Sequence, residues 1–120
     1  ELTELFATSD VIFPTMAISE ETKSIITPEL LASMKNSTLF ISIVHGLFDE
    51  QIVIDMVKDN KLFGFGFEAD PLSFGKYDGN VFAAPAYAWA TDGSMHNSMT
   101  KWIENMVNAS ENKFPTRVNQ

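Results

Sequence analysis

The sequence predicts an α/β fold, a parallel sheet with flanking helices, and three stretches carry that expectation. Ile41-Ser42-Ile43-Val44-His45-Gly46-Leu47-Phe48-Asp49-Glu50, Leu62 to Pro71 and Asn80 to Thr91 each run from a short apolar segment into a polar or small-residue turn. Helical patterning follows the first and the third, and strands alternating with helices imply parallel pairing through right-handed crossovers. Ligands of open α/β sheets sit outside the carboxyl ends of the strands. The three turns are therefore candidate pieces of one site.

The elements follow in order. Leu2, Leu5 and Phe6 recur at helical spacing and give a helix that stops at Thr8-Ser9. Asp10 to Phe13 reads as a buried strand closed by Pro14. Ser19 has the character of a cap for a short helical turn near Glu20 to Ser24. Thr27 caps the next helix, with Pro28 at its first position, Glu29 near the positive end of its dipole, and Leu30, Leu31 and Met34 facing inward. Asn36-Ser37 turns the chain into a strand from Thr38 to Ile43. The spacing of Ile52, Val53, Met56 and Val57 predicts a helix over Asp49 to Asn60 that buries all of them. A strand from Leu62 to Phe67, a loop from Asp70 to Gly79 and a last strand from Val81 to Ala84 come next. Thr91 or Asp92 starts the final helix, whose expected inward face is Met95, Met99, Trp102, Ile103 and Met106. The first strand should leave an open apolar edge, and open edges recruit partners.

With 120 residues and no internal repeat, the chain amounts to one domain or less. Its 45% hydrophobic content and ten Phe suffice for a packed core. A net charge of −8 without a Lys/Arg cluster excludes recognition of a phosphate backbone. No apolar run approaches the ~20 residues of a membrane span, and no leader pattern is visible. The absence of Cys excludes thiol chemistry and favours the cytoplasm. His45 and His96 lie far apart in sequence, which gives no metal-ligand spacing. Gly64-Phe65-Gly66 lacks a third glycine and sits in a strand, so it is no phosphate cradle.

In order and spacing the blocks resemble the C-terminal half of the cofactor domain of D-isomer-specific 2-hydroxyacid dehydrogenases. That family reads roughly "I-N-T-A-R-G-G-x-V-D-E", "L-x-G-A-A-L-D-V-F-x-x-E-P-L" and "N-V-x-x-T-P-H-x-A-x-x-T". Ser9-Asp10-Val11-Ile12, Ile18 to Ile26, Thr27 to Lys35 and Pro115-Thr116-Arg117-Val118-Asn119 extend the likeness over essentially the whole chain. The resemblance implies a Rossmann-like parallel sheet, the second half of a doubly wound NAD-binding domain spanning residues 1–120. It implies NAD or NADP as cofactor, a small 2-hydroxy or 2-oxo acid as substrate, and a homodimer. No G-x-G-x-x-G occurs, so the pyrophosphate turn is expected in sequence preceding Glu1. The chain then reads as a fragment whose partner is the missing N-terminal half or a second subunit.

The family draws an Arg from the first block, a Glu from the second and a His from the third. His45 stands at the Arg position, where it either holds a substrate carboxylate when protonated or merely caps the turn. Asp70 tracks the Glu through Asp70-Pro71-Leu72, and Glu68 falls where an acid receives the nicotinamide carboxamide; either could instead belong to a solvated acidic turn. Ile43 and Val44 are placed against the nicotinamide through their backbones, with Thr15 and Ala88 on the cofactor side. Ala86 occupies the His position and cannot transfer a proton, while His96 is expected to face solvent. These departures leave open an enzyme part, a non-catalytic relative that binds a dinucleotide or protein, and a truncated product.

Overall fold

The computed structural model describes residues 1–69, 77–87 and 89–113. It divides into two compact units, Glu1–Ala86 and Tyr87–Gln120. In the first unit, α1 (Leu2–Thr8), β1 (Val11–Ile12), a 3-10 turn (Thr22–Ser24), α2 (Pro28–Ala32), β2 (Leu39–Ser42), α3 (Glu50–Lys58), β3 (Gly64–Ala69) and β4 (Val81–Pro85) follow one another. The strands form one four-stranded sheet in the order β1-β2-β3-β4. Every pairing is parallel, with Ile12 opposite Phe40, Phe40 opposite Phe65, and Phe65 opposite Val81.

Local chemistry explains the helix ends. Thr27 Oγ1 accepts a hydrogen bond from the Leu30 amide at 3.2 Å, and the Asp49 carboxylate accepts one from the Gln51 amide at 3.0 Å. Each satisfies an amide that has no partner inside its helix. Ser19 and Thr22 exchange amide-to-hydroxyl bonds of 2.7 and 3.2 Å, which closes the 3-10 turn. At the end of α3, Asn60 takes the left-handed conformation (φ 57°). The Asn60 amide then reaches Val57 O at 3.0 Å and the Lys61 amide reaches Met56 O at 2.8 Å. This is the paired closure that stops a helix when a residue tolerates positive φ.

The core is built on one row of the sheet. Phe40 is fully buried, with ring centroids 5.1 Å from Phe48, 5.9 Å from Phe65 and 6.3 Å from Phe6. Phe65 and Phe67 stack at 4.7 Å. Ile12, Leu30, Leu31, Met34, Val53 and Met56 complete the same cluster. The two polar side chains inside it are satisfied: Thr38 Oγ1 donates to Ser9 O at 2.8 Å, and Ser42 Oγ donates to Val44 O at 3.0 Å. On the opposite face Leu39, Ile41 and Gly66 are only half-buried, while Val11 and Phe82 are exposed.

Several expectations change. β1 is two residues long rather than Asp10 to Phe13, and Val11 and Phe13 are exposed, β2 being the only strand among the described residues hydrogen-bonded to it. β3 runs two residues later than expected, since its ladder with β2 begins at Leu39 opposite Gly64. Ile52 is partly rather than fully buried. The loop expected over Asp70 to Gly79 lies mostly outside the described residues.

In the second unit, α4 (Asp92–Ser110) starts on Thr91, whose Oγ1 accepts from the Ser94 amide at 3.2 Å. Its expected inward face is not inward: Met95, Met99, Trp102, Ile103 and Met106 are all exposed, and no described side chain of α4 is buried. Apolar spacing marks a helix face, but it does not supply the surface that covers it. Among the described residues no helix is long and apolar enough to cross a membrane, and no group of acidic, His or Cys side chains could hold a metal ion.

Candidate functional site at the carboxyl ends of the strands

Because the strands are parallel, their carboxyl ends share one edge of the sheet, with neighbours ~4.8 Å apart. The chain leaves β2 through Ser42, whose buried hydroxyl accepts the Val44 amide at 3.2 Å and donates to the Val44 carbonyl. That local ring fixes the peptide of Val44 and leaves the Ile43 side chain exposed. Gly46 then turns the chain at φ 78°, a conformation that costs other residues, and Leu47 plugs fully into the core. The turn is held by its buried residue, so the preceding three residues have a fixed place.

Ser42 pairs with Phe67, so Ile43 comes level with Glu68, the partly buried acid near the end of β3. Ile43, Val44, His45 and Glu68 are thus brought to adjacent strand ends. Thr15 follows buried Pro14 beyond β1, on the other side of β2, and is exposed. Ala86 follows β4 and is half-buried. Asp70 and Ala88 lie outside the described residues. His96 is exposed on α4, as expected.

His45 itself is half-exposed, and its Nδ1 donates to Glu50 Oε1 at 3.1 Å. Glu50 is the first residue of α3. Sequence reasoning missed it because an acid in a first helical turn already has a reason to be there. The available signal was a His five residues before that acid, across a Gly-containing turn.

Two clefts flank the turn and the β1 edge. One, of about 260 Å³, is lined by Lys23, Ile26, Gly46, Asp49 and Ile52; the other, of about 410 Å³, by Leu5, Phe6, Val11, Phe13 and Thr15. The residues at the ends of β2 and β3 combine a half-buried acid with an apolar edge. Glu68 offers an acceptor for a carboxamide, and Ile43 with Val44 offers an apolar edge. Nothing in the sequence supplies the glycine-rich turn that a pyrophosphate rests on.

Comparison with known proteins gives the family and the fold. The family described as D-isomer specific 2-hydroxyacid dehydrogenase, NAD binding domain, matches residues 1–76. The chain is 31% identical over 115 residues to glyoxylate/hydroxypyruvate reductase B of Yersinia pestis, covering 90% of this chain and 35% of that protein. An acyclic imino acid reductase solved with NADPH and D-Arg superposes with a TM-score of 0.74 at 26% identity, over 99% of this chain and 40% of that one. D-lactate dehydrogenase of Lactobacillus jensenii with NAD+ superposes at 0.79 over 100% of this chain and 42% of that one; at 19% identity it speaks for the fold alone. The chain spans about a third of the length of the curated relatives it matches. In sequence and in strand order alike, the chain belongs to the D-isomer-specific 2-hydroxyacid dehydrogenases, within their NAD-binding domain.

Proposed function

We propose that the chain forms the nicotinamide side of a dinucleotide-dependent dehydrogenase that interconverts a small 2-oxo acid and its 2-hydroxy acid. The observation that carries this reading is the adjacency of Ile43-Val44-His45 beyond β2 with half-buried Glu68 near the end of β3. The name of the Yersinia relative supports glyoxylate and hydroxypyruvate as substrates to try first.

A bound nicotinamide supplies or accepts hydride. Glu68 accepts a hydrogen bond from its carboxamide, and Ile43 and Val44 keep water from that side of the ring. Thr15 and Ala88 serve the cofactor side and Asp70 the substrate side, with His45 facing the substrate. Either NAD or NADP suits these residues, because the acid that reads the ribose is not among them. The pyrophosphate turn comes from the N-terminal half of the domain or from a second subunit. Dimerisation belongs to the same reading and is supported by the outer edge of β1, which no strand among the described residues pairs, with Val11 and Phe13 exposed. A cytoplasmic setting is supported by the lack of Cys.

The test joins the chain to a glycine-rich half and follows NADH oxidation with glyoxylate, pyruvate and hydroxypyruvate. Substrate-dependent oxidation with at least one acid is expected. Tight NADH binding with no oxidation of any of them would overturn the reading in favour of a binding protein.

A further inference from the structure

By the resemblance Ala86 falls at the family's acid/base position, yet a histidine–carboxylate pair stands two strands away on the same edge, about 10 Å along it. We propose that His45 and Glu50 form a relocated acid/base pair, in which Glu50 fixes the imidazole through Nδ1 and His45 Nε2 exchanges the proton with the substrate oxygen. This rests on the dehydrogenase reading above and assigns His45 a different task from holding the substrate carboxylate.

Three observations favour proton exchange over anion binding. A carboxylate can only accept, so the 3.1 Å contact places the Nδ1 proton toward Glu50 and leaves Nε2 as the exchangeable nitrogen. A protonated His45 beside an ionised Glu50 has no net charge, which makes the pair a weak anchor for an anion in a chain of net charge −8. The His45 ring is half-exposed while Glu50 is the more buried partner, at 50% and 31% of side-chain surface. The group that must meet substrate is therefore reachable, and the one that orients it is sheltered. The neighbouring charges are engaged elsewhere: Asp49 with the Gln51 amide at 3.0 Å, and Lys23 with Glu20 at 2.8 Å. Glu68 on β3 comes level with Ile43 at the adjacent strand end.

In the reducing direction His45 Nε2 delivers its proton to the carbonyl oxygen as the carbonyl carbon takes up hydride from the reduced nicotinamide and the C=O π pair moves to oxygen. The ring is left neutral, its Nδ1–H still donated to Glu50, and a proton from solvent restores Nε2. The substrate is reduced and the nicotinamide oxidised, so protons and electrons balance. His45 is the catalytic residue here, and Glu50 is a positioning residue.

Long-range proton–nitrogen NMR of the 120-residue chain reads the ring directly, with exposed His96 as reference. The neutral His45 ring should carry its proton on Nδ1, and Glu50→Ala should move its ring nitrogens toward the His96 pattern. In the chain joined to a glycine-rich half, Glu50→Ala should lower kcat with glyoxylate by about 10–100-fold, with KM changed less than about twofold. Glu50→Asp should recover part of it. His45→Arg decides the role: a guanidinium does not release a proton, so kcat should fall by about 10²–10³-fold. Retained kcat in His45→Arg, or an Nε2-protonated neutral ring in the unmodified chain, overturns the proposal and leaves the dehydrogenase reading standing. No turnover by the unmodified joined protein overturns that reading and, with it, the catalytic assignment.

Discussion

Phe40→Ala probes the packing that holds the β2 turn in place. The ring is fully buried and has three aromatic neighbours within 6.3 Å. Truncation removes roughly 100 Å² of buried apolar surface, worth about 2.5–3 kcal/mol at about 25–30 cal/mol per Å². A cavity that Phe6, Phe48 and Phe65 refill only in part raises the loss to about 3–5 kcal/mol. A 120-residue chain has roughly 6–18 kcal/mol of total stability, so the change is large. Urea unfolding followed by far-UV circular dichroism should show the midpoint falling by about 2 M, for a slope of about 2 kcal/mol per M. Phe63→Ala is the control: Phe63 is 61% exposed, and its loss should change stability by less than about 0.5 kcal/mol. Equal effects from the two substitutions would refute the claim that the Phe40 row is the core.

Other outcomes follow from single sites. Asn60→Gly should stabilise the chain by a few tenths of a kcal/mol, and Asn60→Ala should destabilise it by about 1 kcal/mol, because only the former suits φ 57°; thermal melts of both variants check this. A Cβ on Gly64 would press into the Asn80 side chain and stand 3.1 Å from its carbonyl oxygen, so Gly64→Ala should cost about 1–3 kcal/mol in urea and loosen the pairing of β4. Hydrogen bonds from its own amide and from Thr27 hold the Glu29 carboxyl below the usual carboxylate range. Its contribution is therefore fully present above the ordinary range and is lost as pH falls through the lowered value; Glu29→Gln should flatten stability against pH in that acid window. Trp102→Ser should leave unfolding unchanged within about 0.5 kcal/mol, since Trp102 is 67% exposed.

Much of the fold is legible in the sequence because caps and buried stripes act locally. Thr27 and Asp49 mark helix starts by their hydroxyl and carboxylate chemistry, and Val53, Met56 and Val57 repeat as one face, so α2 and α3 lie close to where they are expected. α4 shows the limit: its Met and Trp spacing states that a face is apolar, and burial depends on a covering surface that no spacing encodes. β1 shows a different limit: its apolar run reads as Asp10 to Phe13, while pairing with β2 selects Val11–Ile12. In the site, the turn beyond β2 is legible through its apolar strand and Gly46. The bond from His45 to Glu50 is not, because it depends on how Gly46 and buried Leu47 fold the chain back onto α3.

The central claim is that a nicotinamide dinucleotide meets this chain at the carboxyl ends of β2 and β3. Amide shift mapping of the 120-residue chain titrated with NADH tests it most directly. Without a glycine-rich turn, binding should be weak, with a dissociation constant of about 1 mM or higher. The shifted amides should be those of Ile43, Val44, His45 and Glu68. Shifts that miss these residues, or micromolar binding by the isolated chain, would contradict the account.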